Sequence, residues 1–163
     1  GGPDSMAVVD FLRNGRKNVR LAYFDHGTEH GAEAHDFLAS YCRSNDIPLV
    51  VGKISRDRDE SESPEEFWRN ERYEFLNSLS EKIITAHHLD DAVEWWLFTS
   101  FNGTGRLIPS RVGKFIRPFL STPKSEFMSW NERKSVPYII DPSNKNLKYF
   151  NSSKSYNKSI IPL

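Results

Sequence analysis

Two groups of polar residues in this sequence have the types and spacing needed to bind a phosphate-bearing ligand. The first is Gly1-Gly2-Pro3-Asp4-Ser5, a glycine turn that precedes a segment with helical spacing of apolar residues at 6–12. Such a turn leaves backbone N–H groups at the positive end of a helix dipole, which favours an anion. A glycine pair alone is more commonly an ordinary turn with a helix cap, so its meaning depends on the rest of the chain.

The second group is Ala86-His87-His88-Leu89-Asp90-Asp91, which opens a predicted helix that also carries Glu94. Asp91 and Glu94 are three residues apart, so we expect both carboxylates on one helix face, where they could hold a cation or accept a proton. The two aspartates are also typical helix N-terminal capping residues. The two histidines lack a third ligand at metal spacing, which favours hydrogen-bonding loop residues over a zinc site.

Alternating apolar segments must position these residues. The sequence predicts strands at 19–24, 48–54 and 82–86, and helices at 6–12, 29–45, 64–80 and 90–101. That order implies right-handed crossovers and a parallel sheet with helices on both faces, an α/β fold. Ligands of such sheets bind beyond the carboxyl ends of the strands, so loops 1–5, 25–28 and 87–91 are expected to converge on a nucleotide-like or phosphate-bearing ligand.

Composition narrows the class of protein. The chain has 163 residues, 37% hydrophobic and 13% aromatic, which fits a single domain over 1–163 and argues against wholesale disorder. No apolar run approaches the ~20 residues that a membrane helix needs. The one cysteine, Cys42, excludes an internal disulfide, a four-cysteine zinc site and a C-x-x-C motif, so a reducing, cytoplasmic setting is the default.

Charge is unevenly distributed along the chain. Residues 1–110, the expected nucleotide-binding core, carry 12 basic and 19 acidic side chains, whereas residues 111–163 carry 10 basic and 3 acidic ones. The basic last third of the domain could contact phosphate, whose attraction is largely independent of sequence. A solvated surface explains the same charges equally well.

Several segments, in one order along nearly the whole chain, carry a family resemblance. Gly1-Gly2-Pro3-Asp4-Ser5 resembles the Ser-Gly-Gly-x-Asp-Ser pyrophosphate loop of the N-type ATP pyrophosphatases, short of its first serine. Residues 86–94 are similar to the Ala-His-His-x-Asp-Asp-x-x-Glu signature of the tRNA(Ile)-lysidine synthetases. Further matching segments are Asp25-His26-Gly27, Arg69-Asn70-Glu71-Arg72-Tyr73, Gly103-Thr104-Gly105, Arg117-Pro118-Phe119-Leu120 and Asp141-Pro142-Ser143-Asn144.

The resemblance implies a three-layer α/β/α fold of the adenine nucleotide alpha hydrolase (PP-loop ATPase) type, and an ATP-dependent ligase. Such an enzyme adenylates C2 of the wobble cytidine in tRNA(Ile) with a CAU anticodon, and L-lysine then attacks to give lysidine, AMP and pyrophosphate. It also implies residue roles. The expected ATP contacts are Gly1, Gly2, Asp4, Ser5, Asp25, Arg69 and His87. The expected catalytic residues are Asp4, Arg72, Asp91 and Glu94, with Asp4 as the Mg²⁺ ligand. The expected tRNA contacts are Arg117, Lys124, Lys154 and Lys158.

The sequence also departs from the family. The arginine-rich stretch near the end of the catalytic domain is replaced at 151–162 by a run whose only charges are Lys154 and Lys158. A short strand ending in serine is expected before Gly1, and a homodimer is expected because the family often forms one. Two alternatives stay open: another PP-loop enzyme that amidates a small molecule, and a degenerate nucleotide- or RNA-binding module without turnover. Thiolating relatives are disfavoured because Cys42 is alone.

Overall fold

The structure is a computed structural model that describes residues 1–140. Helices and strands alternate along most of the chain, as the periodicity predicts. The elements in chain order are α1 (Pro3–Asn14), β1 (Leu21–Asp25), α2 (Glu29–Ser44), β2 (Leu49–Lys53), α3 (Pro64–Ser78), β3 (Ile83–Ile84), α4 (Leu89–Phe101), β4 (Arg111–Val112), β5 (Phe115–Ile116) and α5 (Lys124–Lys134). The seven elements predicted from the sequence are all present, with ends shifted by a few residues. The last two strands and α5 were not predicted.

The strands form two small sheets. In the first, β1 and β2 run parallel, in a register that places Leu21 opposite Leu49 and Asp25 opposite Lys53. In the second, β5 pairs with β3 in parallel and with β4 in antiparallel orientation. The parallel pairs confirm the α/β fold, whereas the antiparallel β4–β5 hairpin is an addition. Within residues 1–140 the two sheets share no hydrogen-bonded strand pair.

The hairpin is closed by a two-residue turn. Gly113 occupies its first position with a φ of +54°, a conformation that glycine adopts without strain. The strand expected before Gly1 lies outside the sequence and stays a prediction.

The core surrounds α1, which is covered on two sides. Met6 is fully buried against Leu21 of β1 and Leu38 of α2. The next two residues, Ala7 and Val8, are buried against Phe127 of α5. Consecutive buried positions occur only where a helix has neighbours on more than one face. Burial of α1 between the β1–α2 layer and α5 fixes the direction in which its first turn points.

Polar contacts hold α1 and α5 together. The Trp130 Nε1 atom donates to Asp10 Oδ2 at 2.9 Å, and the Asn131 amide donates to the Pro3 carbonyl at 3.0 Å. Cys42 is buried in the α1–α2 core, where burial raises the pKa of its thiol. Cys42 therefore packs as a small hydrophobic residue of α2. Among the described residues, no helix is long and apolar enough to cross a bilayer.

The contact between β2 and α3 yields a stability prediction. A Cβ atom at Gly52 would lie 2.3 Å from Phe75 Cγ, and the ring cannot move aside in a packed layer. Gly52→Ala is therefore expected to lower the free energy of unfolding by about 1–3 kcal/mol in urea denaturation. The double variant Gly52→Ala/Phe75→Leu should recover part of that loss relative to Phe75→Leu alone. Strictly additive effects would show that the ring is not the obstacle.

Candidate functional site

Three helices direct their N-termini at one place. Asp4 lies in the first turn of α1, His88 is the N-cap of α4 and Lys124 is the first residue of α5. The Asp4 Oδ2 atom is 3.6 Å from His88 Nε2 and 3.8 Å from Lys124 Nζ. Because each helix dipole has its positive end at the N-terminus, this arrangement concentrates positive potential around Asp4. Two of the predicted ligand-binding loops, 1–5 and 87–91, therefore meet, and the N-terminus of α5 lies beside them.

The α1 N-terminus is open to a ligand. Its N-cap, Gly2, is extended, with φ −71° and ψ 163°, and no side chain of residues 1–140 caps the helix. In the described part of the chain, no atom outside its chain neighbours lies within 4 Å of a Cβ placed on Gly2, so the backbone can be approached closely. The next residue, Pro3, lacks an N–H, which leaves the N–H groups of Asp4 and the exposed Ser5 at the end of the dipole. This geometry suits a phosphate group.

A capping box fixes the start of α4. The His88 backbone N–H donates to Asp91 Oδ2 at 2.9 Å, and the Asp91 N–H donates to His88 Nδ1 at 3.3 Å. Both side chains are buried, at 1% and 2% exposure. Since Nδ1 accepts, Nε2 carries the proton and faces the Asp4 carboxylate. Asp91 therefore acts as a helix-capping residue, which is one of the two interpretations that the sequence allows for it.

The other aspartate of the motif caps a different helix. The Asp90 Oδ2 atom accepts a hydrogen bond from the Lys124 backbone N–H at 2.8 Å. That bond is the main cause of a lowered pKa at Asp90. The interaction joins the first turns of α4 and α5 although the two residues are far apart in the sequence, so no local pattern indicates it.

Glu94 does not share the environment of Asp91, contrary to the expectation of one common face. The buried stripe of α4 follows Asp91, Trp95 and Thr99, whereas Glu94 is exposed. Residues three apart on a helix differ by about 60° in direction, and here that rotation crosses the edge of the buried stripe. Of the two carboxylates, only Glu94 is open to solvent.

His87, an expected ATP contact, is buried and shares a 2.8 Å hydrogen bond with Thr85 through its Nδ1 atom. Asp25, another expected contact, forms the turn after β1. Its Oδ1 atom accepts from the Gly27 N–H at 2.9 Å, and Gly31 of α2 packs against the same oxygen. Thr28 then caps α2. These contacts give both residues structural roles beside the roles expected from the resemblance.

Beyond β1, a histidine is held in its neutral form. The His26 ring lies 5.9 Å from the ring of Trp68 and 5.1 Å from that of Phe24. Burial lowers the pKa of His26 to about 4, with the nearby Arg72 acting in the same direction and Asp25 against it. The sequence motif contains this residue, but its burial against α3 is a tertiary effect that spacing does not reveal.

Arginines gather around Tyr73 of α3. Burial lowers the pKa of Arg72, whose Nε atom is buried with no hydrogen-bond partner among the described residues. Arg117 is 1% exposed and donates to the Pro109 carbonyl at 2.9 Å. Burial raises the pKa of Tyr73, while Arg72, Arg117 and Arg69 act to lower it. Because a surface contact needs an accessible guanidinium, the burial of Arg117 does not fit the tRNA contact expected of it.

Arg69 lines a cleft of about 570 Å³ between α3 and the β4–β5 hairpin, together with Asn77 and Lys114. Lys124, expected to contact tRNA, lies instead beside Asp4. Lys154, Lys158 and the 141–144 segment lie outside the described residues. Within residues 1–140, no group of three or more His, Cys, Asp or Glu side chains could hold a metal ion.

The fold and the uncapped α1 N-terminus at Gly2 define a class of nucleotide-binding protein. The family model described as PP-loop domain matches residues 1–153, and the chain belongs to this family. It is 32% identical to the tRNA(Ile)-lysidine synthase of Thermotoga maritima and 31% identical to that of Staphylococcus aureus, over 91% of the chain in both cases. The alignments cover 40% and 39% of those proteins, so the chain spans about two fifths of the length of the curated relatives it matches.

A solved structure shares the fold. The U34-tRNA thiolase NcsA from Methanococcus maripaludis, determined with its [4Fe-4S] cluster, superposes with a TM-score of 0.71. The superposition covers 98% of this chain and 61% of that one, at 19% sequence identity. This likeness confirms the PP-loop fold predicted from the sequence.

The neutral state of His26 predicts a pH dependence of stability. Its pKa is about 4 in the folded protein against 6.5 for an unperturbed histidine, so the unfolded chain takes up a proton first. Stability should therefore fall as pH drops from 6.5 towards 4, by about 1–2 kcal/mol after allowance for partial exposure. Urea unfolding at several pH values would measure this loss. A His26→Gln variant should lose that share of the pH dependence, and an unchanged pH slope would contradict the assignment.

Proposed function

We propose that this chain is the catalytic part of an ATP-dependent tRNA-modifying ligase that makes lysidine. The observation that carries the proposal is the convergence of the α1, α4 and α5 N-termini around Asp4, His88 and Lys124. A site of this kind favours a highly charged anion such as a triphosphate. The PP-loop family and the names of the relatives support ATP as that anion and tRNA(Ile) and lysine as the other substrates.

On this proposal the triphosphate lies across the open first turn of α1. The N–H groups of Asp4 and Ser5 donate to phosphate oxygens, and the Lys124 ammonium offsets their charge. Asp4 offers one carboxylate, which fits Mg²⁺ because this ion usually takes one or two protein carboxylates and completes its shell with phosphates and water. When bound there, Mg²⁺ would neutralise charge on the leaving pyrophosphate.

The reaction then needs two substitutions. The C2 carbonyl oxygen of the cytidine attacks the α-phosphorus and pyrophosphate leaves. The lysine ε-amine next attacks C2, loses a proton and displaces AMP. We assign the lysine contact to Glu94, the accessible carboxylate on α4, and a positioning role to Asp91, which orients His88 towards Asp4. Arg72, a partly buried cation near His26 and Tyr73, would stabilise negative charge on the adenylate.

The proposal also covers the cellular location and the oligomeric state of the enzyme. Its substrates are cytoplasmic, so we propose a cytoplasmic location, and we propose that the chain acts as a homodimer. The rival function is a binding module without turnover, which the arginine-free run at 151–162 favours because lysine lacks the bidentate geometry suited to phosphate. An amidating ligase for a small molecule would use the same ATP site.

Product release distinguishes these functions. Labelled ATP is incubated with the protein and L-lysine, with and without tRNA(Ile) bearing a CAU anticodon, and AMP and pyrophosphate are measured. We expect AMP only when both tRNA and lysine are present. Glu94→Gln removes the charge assigned to the lysine contact on the exposed side of α4, so it should keep the fold and reduce turnover by about 100-fold or more. ATP binding without AMP release would favour the binding module, and AMP release driven by ammonia and a small acid would favour the amidating ligase.

Lys124 gives a sharper test of the ATP site. Removing its ammonium in Lys124→Ala should weaken ATP binding by roughly tenfold to hundredfold, the effect of a hydrogen bond to a charged group. The matched control is Lys134→Ala at the other end of α5, which should leave ATP affinity unchanged. Equilibrium binding of a fluorescent ATP analogue would measure both. If Lys124→Ala changed only tRNA affinity, the residue would be a tRNA contact as first expected from the sequence.

A further inference from the structure

The cleft between α3 and the β4–β5 hairpin lies apart from the site around Asp4. Its volume of about 570 Å³ is within the range of roughly 300–1,000 Å³ that is usual for small-ligand pockets. One side of α3 forms one wall and the hairpin forms the other. The lining includes Arg69, Asn70, Tyr73, Asn77, Val112 and Phe115. None of the described lining residues belongs to the site at the starts of α1, α4 and α5.

The two walls of this cleft are tied together. The Lys114 ammonium donates to the Asn77 carbonyl at 2.7 Å and to the Leu79 carbonyl, at the C-terminal end of α3, where the helix dipole favours a cation. The Tyr73 ring meets the Phe115 ring edge-on, with the ring centroids 5.4 Å apart. The cleft is therefore preformed, which lowers the entropy that a ligand must lose on binding.

The charge around the cleft favours an anion. Arg69 lines it, and the charges of Arg69, Arg72 and Arg117 all act on Tyr73. Glu66, an acidic residue of the lining, is at the start of α3, where the positive end of the helix dipole offsets its charge. The surroundings of Tyr73 thus carry an excess of positive charge, which suits a phosphate group.

The uncharged part of the lining suits a nucleobase. The Tyr73 ring is an aromatic surface on which any base can stack. Asn77 is exposed, and its amide both donates and accepts, as the polar edge of an unpaired base requires. In residues 1–140, no atom beyond its chain neighbours lies within 4 Å of a Cβ placed on Gly113, so a ligand can closely approach the hairpin backbone there.

The sequence beside the cleft indicates a polymer rather than a free nucleotide. Residues 95–125 contain no Asp or Glu but five basic residues, which are Arg106, Arg111, Lys114, Arg117 and Lys124. Arg106 and Arg111 are exposed, and Arg111 belongs to the hairpin that forms one wall of the cleft. A chain of phosphates is attracted to such a segment whatever its base sequence.

We propose that the cleft between α3 and the β4–β5 hairpin binds one unpaired nucleotide of the RNA substrate, and that this nucleotide is not the one that reacts. Its phosphate lies on Arg69, its base stacks on Tyr73 and the edge of the base meets Asn77. The inference rests on the proposed function only in that the substrate is an RNA. It gives Arg69 a partner other than the ATP contact expected from the resemblance, and it moves the RNA contact from the buried Arg117 to an accessible arginine of the same cluster.

Binding of a labelled anticodon stem–loop of tRNA(Ile), measured by fluorescence anisotropy without ATP or lysine, tests the cleft. Arg69→Ala should weaken binding about tenfold and reduce the slope of log affinity against log salt by about one, because one phosphate contact is lost. Asn77→Ala removes only an amide, since Lys114 holds the backbone carbonyl, and should weaken binding about threefold to tenfold. The matched control is Arg43→Ala, which removes an exposed arginine of α2 and should change neither the affinity nor the slope.

The outcomes separate this proposal from the ligase proposal. If the stem–loop binds and neither cleft variant weakens it, the cleft proposal is wrong and the ligase proposal stands. If Arg69→Ala weakens binding of a fluorescent ATP analogue and not of RNA, the residue is an ATP contact and the cleft proposal is again wrong. A wild-type protein that does not bind the stem–loop would overturn both proposals. Binding that depends on the cleft but yields no AMP in the turnover assay would overturn only the ligase proposal.

Photo-crosslinking to the wild-type protein locates the bound nucleotide without any substitution in the cleft. Stem–loops that carry thiouridine at one unpaired position at a time are irradiated in the complex, and the crosslinked peptides are identified by mass spectrometry. We expect one position of the loop, and not the wobble position, to crosslink to α3 or to the β4–β5 hairpin. Crosslinks confined to α1, α4 or α5 would overturn the proposal.

Discussion

The accumulation of positive potential where three helices begin is the constraint on which the rest of this structure depends. Each helix N-terminus carries about half a unit of positive charge, and Lys124 adds a full one. The fold offsets this charge with the carboxylates of Asp4, Asp90 and Asp91, all of which lie close to the three helix N-termini. Two of them are tied to backbone N–H groups, at the starts of α4 and α5. Because carboxylates already cap α4 and α5, the uncapped N-terminus of α1 and the Lys124 ammonium are the groups left to bind an anionic ligand.

A second group of cations lies around Tyr73, where the nearby carboxylate is arranged differently. Arg117 is buried and Arg72 is partly buried near Tyr73, while the nearby Glu71 is engaged by Ser55 and Arg56 instead. The low pKa of His26 follows first from its burial and second from the charge of the neighbouring Arg72. The neutral imidazole of His26 thus lies between two aromatic rings and near the partly buried guanidinium of Arg72.

Helix α2 was predictable from the sequence because its apolar period produces a buried stripe that includes Leu38 and Cys42. Strands β1 and β2 were predictable because each is a short, mostly apolar run. Helix α5 was missed because its sequence is polar apart from Phe127 and a few partly buried residues, so its burial depends on α1. The β4–β5 hairpin was missed because its strands have two residues each and only Gly113 marks the turn. Local rules identify the capping box at the start of α4, but not that Asp90 reaches across to Lys124. The exposure of Glu94 depends on a rotation of about 60° relative to the buried stripe, which a spacing argument does not resolve.

The burial of α1 on two sides has a further consequence for how a ligand is bound. Met6, Ala7 and Val8 are held by separate layers of the core, so the turn before them is attached to a helix that cannot shift without opening both layers. A glycine turn usually loses conformational entropy when a ligand orders it, which weakens binding. Here most of that ordering entropy is already lost on folding, so a ligand meets a preorganised turn and affinity is limited mainly by desolvation.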